Sequence, residues 1–425
     1  MRIGLVSYEY PPQRGLGGVG TYTFRLAGAL GRAGHQVVIL AGPTEEADIP
    51  QPNVTLHRIP ARYEPSLAFR GLRFLYWRVF ATLMDKAHPL VWHWMRWNMA
   101  SGDALLDIHR RTPLDVIEAP EHAANGLFVG RLRRWPMLVR IHGPWDLFFG
   151  INRTRGAAMN RMLTALERRS TGYAQVCTTP SHTMAAFIRD KWRMPATPQV
   201  VPNFMDVPVD PAPLPPMNGE PQRIVCAGRL ERFKGQDTLV KAFARIAPQH
   251  PSAELRIIGP DQWSTKQTFA QLVDRLVPDA DVRRRIILTG PQPLANVQDE
   301  LRRATIAVIC SSGFESFSFS TLEAMAAARP IVGSRVGAIP ELLDHGRCGL
   351  VAAPANPAQF ADALDRLLSD ADLRGQLAIA AHTRALQRYD TSVAIPAMLR
   401  QFHRAREIYH GADSISEPPL AVQPV

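Results

Sequence analysis

Arg223-Ile224-Val225-Cys226-Ala227-Gly228-Arg229-Leu230-Glu231-Arg232-Phe233-Lys234-Gly235-Gln236-Asp237 is the stretch that decides the fold. A short strand-forming run stops at Gly228, two cations follow, and helical periodicity begins near Asp237, just past Gly235. A strand that passes through a glycine loop into a helix is the opening of a βαβ unit. In open α/β sheets ligands gather at the carboxyl ends of such strands, where a helix N-terminus adds positive dipole. Arg229 and Lys234 leave the strand there, and a diphosphate is the natural guest of two converging cations. The plainer reading is a basic surface loop; the glycines, which let backbone approach closely, favour the first.

The same alternation continues downstream. Glu254–Ile258, Ile286–Leu288, Ile306–Ile309 and Ile331–Gly333 read as further strands with helical segments between them. Upstream, Asp206–Gly219 holds five prolines, which remove backbone donors and fix φ, so it reads as a stiff linker. Before that linker come strands at Arg2–Tyr8, Gln36–Leu40, Val116–Glu118, Met137–Ile141, Gln175–Thr178 and Gln199–Val201, with a helix at Thr21–Gly31. The fold class is therefore α/β, with two halves of similar size, each built on a parallel sheet with helices on both faces. The expected domains are 1–205, a linker at 206–221, a second domain at 222–390, a C-terminal helix at 391–412 and a tail at 413–425.

Composition excludes several classes. The chain has 425 residues, 46% hydrophobic and 20% charged, enough apolar content for more than one core and too much for disorder. No apolar run approaches the ~20 residues of a membrane helix, and the N-terminal run is too short for a signal peptide. Cys177, Cys226, Cys310 and Cys348 are widely spaced without a CxxC pair, which argues against a zinc site or disulfide framework. A cytosolic protein is expected.

The net charge of +11 is uneven and almost all arginine: residues 1–212 carry 25 Lys and Arg against 16 Asp and Glu, the remainder 24 against 22. A basic first half suggests an anionic partner such as a membrane surface or phosphorylated acceptor. Within it, Ala68–Ala100 interleaves arginines with Phe69, Phe74, Tyr76, Trp77, Trp92, Trp94 and Trp97. That pattern suits a surface meeting lipid headgroups, or a helical pair whose aromatics are core. No nucleic-acid motif accompanies the charge, so no nucleic-acid partner is expected.

Two further motifs carry chemistry. Gly15–Gly20 contains G-x-G-x-x-G, but Glu9–Arg14 separates it from the first strand, and no acidic residue after the second strand is placed for a ribose. What survives is a glycine loop opening a helix, with backbone N–H groups turned to a phosphate or a sugar hydroxyl. Glu315 and Glu323 stand eight apart, one in a loop and one in the next helix, with Ser318, Phe319 and Ser320 between them offering N–H groups to phosphate. Paired carboxylates also suggest a glycosidase, though a hydrolase has no use for the Arg229/Lys234 site. The strings Asp279-Ala280-Asp281 and Asp370-Ala371-Asp372 read as helix starts, not cation ligands.

With these residues in view, the chain resembles the retaining, GT-B fold glycosyltransferases of "group 1", family 4, over nearly its whole length. The likeness rests on Gly15–Gly20, Ile141-His142-Gly143, Val201-Pro202-Asn203, Arg229-Leu230 with Lys234-Gly235, the Glu315/Glu323 pair and Val336-Gly337-Ala338-Ile339-Pro340-Glu341. It implies two facing Rossmann-like domains with the active site in the cleft, and a last helix crossing back to the first domain, which takes the acceptor. It further implies that Arg229 and Lys234 hold the donor diphosphate and Glu323 the ribose. Glu315 would contact the transferred sugar, His142 its hydroxymethyl side, and Gly17 and Gly18 would approach donor and acceptor. Ser318 and Ala338 depart from the pattern, because glycine is common at both places in relatives.

The implied reaction needs no metal and no cofactor beyond a UDP- or GDP-linked sugar. The expected acceptor is a lipid-linked intermediate or growing polysaccharide at the inner membrane face. Two rivals remain at this level: a nucleotide-dependent oxidoreductase or epimerase using the glycine loop, and a catalytically silent glycan- or lipid-binding module.

Overall fold

The computed structural model describes residues 1–11, 17–60, 89–145, 147, 157–215, 221–264 and 266–411. Residues 68–88 of the basic-aromatic segment, Gly15 and Leu16 of the glycine loop, residues 216–220 of the linker and the tail from 412 lie outside them.

Thirteen strands are described: β1 Arg2–Ser7, β2 Gln36–Ala41, β3 Val54–Arg58, β4 Val116–Pro120, β5 Met137–Arg140, β6 Val176–Thr179, β7 Gln199–Val200, β8 Gln222–Ala227, β9 Ala253–Ile258, β10 Ile286–Gly290, β11 Ile306–Ile309, β12 Ile331–Ser334 and β13 Leu350–Ala352. They form two sheets, ordered β3-β2-β1-β4-β5-β6-β7 and β10-β9-β8-β11-β12-β13. The second is parallel throughout, and the first is parallel from β3 to β6. Both run outward from a central pair, β1/β4 in one and β8/β11 in the other, which is the doubly wound order. Chain connections reverse at that pair, leaving a crevice at the carboxyl ends of the strands.

The second sheet shows why these runs became strands. Along β8, Ile224 and Cys226 bury into one core with Leu239, Phe243 and Phe360, while Val225 buries into another with Leu322, Ile339 and Ala385. A strand buried on both faces reads as a continuous apolar run, and side chains alternate between the two helical layers. The helix Gln236–Ile246 supplies Leu239, Val240, Phe243 and Ile246 to the first core at helical spacing.

Contacts divide the chain into two units. The first takes Met1–Trp145, the stretch ending at Thr178, and the chain from Ala397; the second holds Thr179–Pro396. The division falls ahead of the proline-rich segment, and the helix Thr391–His410 passes from one set of residues to the other. Within the second unit, Val207 belongs to a core, and the guanidinium of Arg329 donates to the carbonyls of Ala212 and Pro213 as well as to those of Arg302, Ala304 and Ala327. Arg329 is fully buried without a carboxylate on those bonds, and burial lowers its pKa to about 10.

Where the Ala68–Ala100 segment is described, its aromatics divide between core and surface. Trp92 and Trp97, on helix Pro89–Arg111, are buried and belong to the core, whereas Trp94 and Arg96 are part-exposed. Among the described residues no helix is long and apolar enough to cross a membrane. All four cysteines are free thiols.

Candidate functional site

In the second unit the site is assembled from the loops that follow the central strands β8 and β11. After β8 the chain passes Gly228, makes a short 3-10 turn at Arg232–Lys234 and enters helix Gln236–Ile246 through Gly235. Gly235 has φ +71°, and a Cβ there would lie 2.1 Å from the Cys310 carbonyl oxygen. Only glycine permits that approach. The β11 loop is stitched to the β8 loop by Ser312 and Gly313, whose N–H groups donate to the Phe233 carbonyl at 2.7 and 3.0 Å.

This stitching brings Lys234 to Glu315. Lys234 Nζ donates to Glu315 Oε1 at 2.7 Å, and Ser311 Oγ donates to the same oxygen at 2.6 Å. Arg229 pairs with Glu231 instead, Nε to Oε1 at 3.0 Å, while Gln236 Nε2 holds the Arg229 carbonyl. The two cations expected to stand ready for an anion thus each have a carboxylate beside them. Neither pair is sealed: the Arg229 side chain is 36% exposed and that of Lys234 23%. Glu315 itself is fixed through its backbone. Gly337, at φ +52°, lies so close that a Cβ would sit 2.0 Å from the Glu315 carbonyl oxygen, which accepts from Ala338 N–H at 2.8 Å.

Ser318 heads helix Phe319–Ala326, with its Oγ accepting from Thr321 N–H and from Thr321 Oγ1. Its φ of +85° explains why glycine suits this position. Phe319 and Ser320 form the first turn of the helix, and Glu323 follows on it, half-buried. The Val336–Glu341 motif also caps a neighbouring helix. Its Glu341 carboxylate accepts from the N–H groups of His182 and Thr183, both at 2.9 Å, at the start of helix His182–Trp192.

In the first unit the corresponding loops follow β1, β4 and β5. Gly17 stands at the N-cap of helix Gly18–Arg32 and supplies no side-chain cap to it. His142 follows β5 and is buried, its ring 4.7 Å from that of Tyr22. The Glu121 carboxylate, wholly buried after β4, accepts from His142 N–H at 2.9 Å and Gly143 N–H at 2.6 Å. Burial holds the His142 imidazole well below the usual histidine range, with Arg140 and His122 adding to the effect, so it is neutral near pH 7. Behind it, burial pushes the Glu118 carboxyl up to about 7 against the opposing pull of Arg140 and Tyr22.

Comparison with known proteins decides the family. A profile described as Glycosyltransferase Family 4 matches residues 16–208, and one described as Glycosyl transferases group 1 matches residues 221–370. The chain belongs to the group 1, family 4 glycosyltransferases. Among the relatives of this glycosyltransferase, glycogen synthase of Mycobacterium tuberculosis is 28% identical over 430 residues, covering 96% of this chain and 95% of that one. Sucrose-phosphate synthase from Thermosynechococcus elongatus shares the fold with a TM-score of 0.72 at 20% identity, covering 96% of this chain and 99% of that one. Anabaena Alr3699/HepE, solved in complex with UDP, aligns at a TM-score of 0.67 and 16% identity, over 95% and 100% of the two chains. The fold is GT-B. The oxidoreductase reading of Gly15–Gly20 fails with this membership, and for a structural reason: β1 ends at Ser7 and the helix begins only at Gly18, whereas a dinucleotide loop follows its strand directly.

Several site residues of this glycosyltransferase escaped the sequence reading. Glu121, which fixes the His142 loop, could have been found as an acidic residue just past a predicted strand end. Ser311 and Gln236 gave no such signal, since nothing in their own surroundings marks a carboxylate or a backbone carbonyl as the partner. Asp279 and Asp370, by contrast, are the helix caps that their spacing suggested, accepting from Val282 and Leu373 N–H.

Proposed function

We propose that this glycosyltransferase moves a hexosyl group from a UDP-sugar to the end of a growing glucan, with retention at the anomeric carbon and without a metal ion. The observation that carries the reading is the pairing of Lys234 with Glu315 where the second sheet reverses, beside Arg229 and the helix that bears Glu323. A diphosphate would lie against Arg229 and Lys234, the ribose at Glu323, and the transferred sugar at Glu315.

The glucan acceptor is supported by the near full-length likeness to a glycogen synthase. The choice of UDP is supported by the likeness in fold to a protein solved with that nucleotide. The membrane-facing reading of Ala68–Ala100 gains nothing from Trp92 and Trp97, which are core.

In the reaction the bond from the anomeric carbon to the diphosphate oxygen breaks, and a bond to an acceptor hydroxyl oxygen forms on the same face. The hydroxyl proton passes to the departing phosphate oxygen, so no separate base is required. Negative charge grows on the leaving group, and Arg229, Lys234 and the N-terminus of helix Phe319–Ala326 stabilise it there. His142, neutral and held by Glu121, is placed in this reading to hydrogen-bond a sugar hydroxyl without adding charge. Screening UDP-, GDP- and ADP-linked sugars by thermal shift, then by transfer to an oligosaccharide, tests the proposal. A rise in melting temperature with one donor and its consumption with acceptor are expected; no stabilisation and no consumption with any would overturn it.

A further inference from the structure

The first unit carries an aromatic and acidic cluster that the donor reading does not use. Glu9 follows β1, His122 follows β4, Trp145 lies just beyond β5, and Trp94 comes from helix Pro89–Arg111. The Trp94 and Trp145 rings meet edge to face at 5.0 Å and 84°, and the His122 ring lies 5.7 and 5.9 Å from them. All three are part-exposed, whereas Trp92 and Trp97 on the same helix as Trp94 are buried. His122 Nε2 stands 3.8 Å from Glu9 Oε1. The other carboxylate oxygen, Glu9 Oε2, is buried and accepts no hydrogen bond among the described residues, and it faces Gly17 at the start of helix Gly18–Arg32.

We propose that Trp94, Trp145, His122 and Glu9 form a subsite for one pyranose ring of the acceptor glycan. A pyranose has an apolar C–H face and a rim of hydroxyls. The part-exposed indole pair offers the apolar face a stacking partner, and the Glu9 carboxylate, whose side chain is 27% exposed, and the His122 ring match the rim. The helix N-terminus and the positive balance of this half of the chain disfavour a cationic guest. The place also fits, because three of the four residues follow strands of the central region of the first sheet, where open α/β sheets bind ligands.

This subsite rests on the transferase reading, and the test separates the two. Maltoheptaose is titrated into the full chain while tryptophan fluorescence is followed, and its KM is measured in transfer from the donor found active. Trp94→Ala and Trp145→Ala should each remove the fluorescence change and raise the maltoheptaose KM about tenfold or more, with UDP affinity by calorimetry unchanged. Glu9→Gln, which removes the charge but little volume, should raise that KM as well and carries the test if a tryptophan variant does not fold. Normal turnover with an unaltered maltoheptaose KM in all three variants overturns the subsite and leaves the transferase standing. Fluorescence change on maltoheptaose that the variants abolish, with no sugar transfer by the wild type, keeps the subsite and overturns the transferase.

Discussion

Lys234 and Glu315, 81 positions apart, share a 2.7 Å hydrogen bond, and the carboxylate oxygen that receives it also receives Ser311 Oγ. Any diphosphate that binds Lys234 must compete with that carboxylate. Glu315→Gln removes the competing charge and keeps the shape, so UDP should bind at least as tightly as to wild type, while sugar transfer falls about tenfold or more. Lys234→Ala should lower both, with turnover down about a hundredfold and stability changed by about 1 kcal/mol. Calorimetry with UDP and initial rates check the pair of variants; parallel loss of UDP binding in both contradicts the division of roles.

Gly337 sets the height of the Glu315 loop. An alanine there carries a Cβ into the Glu315 carbonyl, 2.0 Å away, at a φ of +52° that side chains resist. Gly337→Ala should cost about 3 kcal/mol in urea unfolding and suppress transfer further than the stability loss explains. A variant as stable and active as wild type would show that the loop does not depend on this contact.

Ser318 pays a backbone cost at φ +85° and recovers part of it as the cap of its helix. Ser318→Gly should stabilise the fold by about 1 kcal/mol, because strain is relieved and glycine is itself a tolerable cap. Ser318→Ala keeps the strain and loses the cap, so it should destabilise by about 1 kcal/mol. Opposite signs in thermal unfolding are the expected signature.

Glu118 gives a pH dependence of defined sign. Folded, its carboxyl is raised by burial to about 7 from 4.5. The unfolded chain ionises first as pH rises, so the folded state holds the extra proton between these values, and stability from this residue falls across that window. Full loss amounts to about 3 kcal/mol above pH 7. Glu118→Gln cannot ionise, so wild-type stability minus variant stability should decline by that amount from about pH 4.5 to pH 7 and be level outside it. A constant difference in urea midpoints across the range would contradict the assignment.

Much of the fold was legible because buried parallel strands are continuous apolar runs. The two strands that were overlooked are both at sheet edges. β3, Val54-Thr55-Leu56-His57-Arg58, is half-exposed and mixes polar with apolar residues, and β13 is only three residues long. The cations, the glutamate pair and the glycine loop were readable from spacing and residue type. Their pairing was not: Arg229 turns to Glu231 and Lys234 to Glu315 because of loop geometry fixed by Gly235 and the Phe233 carbonyl, which no local pattern encodes. Glu121 was hidden for a similar reason, since its partners are the backbone N–H groups of residues 21 and 22 positions away.

The grip of Arg329 on Ala212 and Pro213 bears on how this chain can be cut. A fragment of the second half that started at Gln222 would strip two carbonyl partners from Arg329 and uncover the apolar core that Val207 packs into, and it should come out of expression poorly soluble. One that began upstream of Val207 would keep those acceptors and fill the hydrophobic slot that Val207 occupies. The practical border of that half therefore lies ahead of the prolines, not behind them.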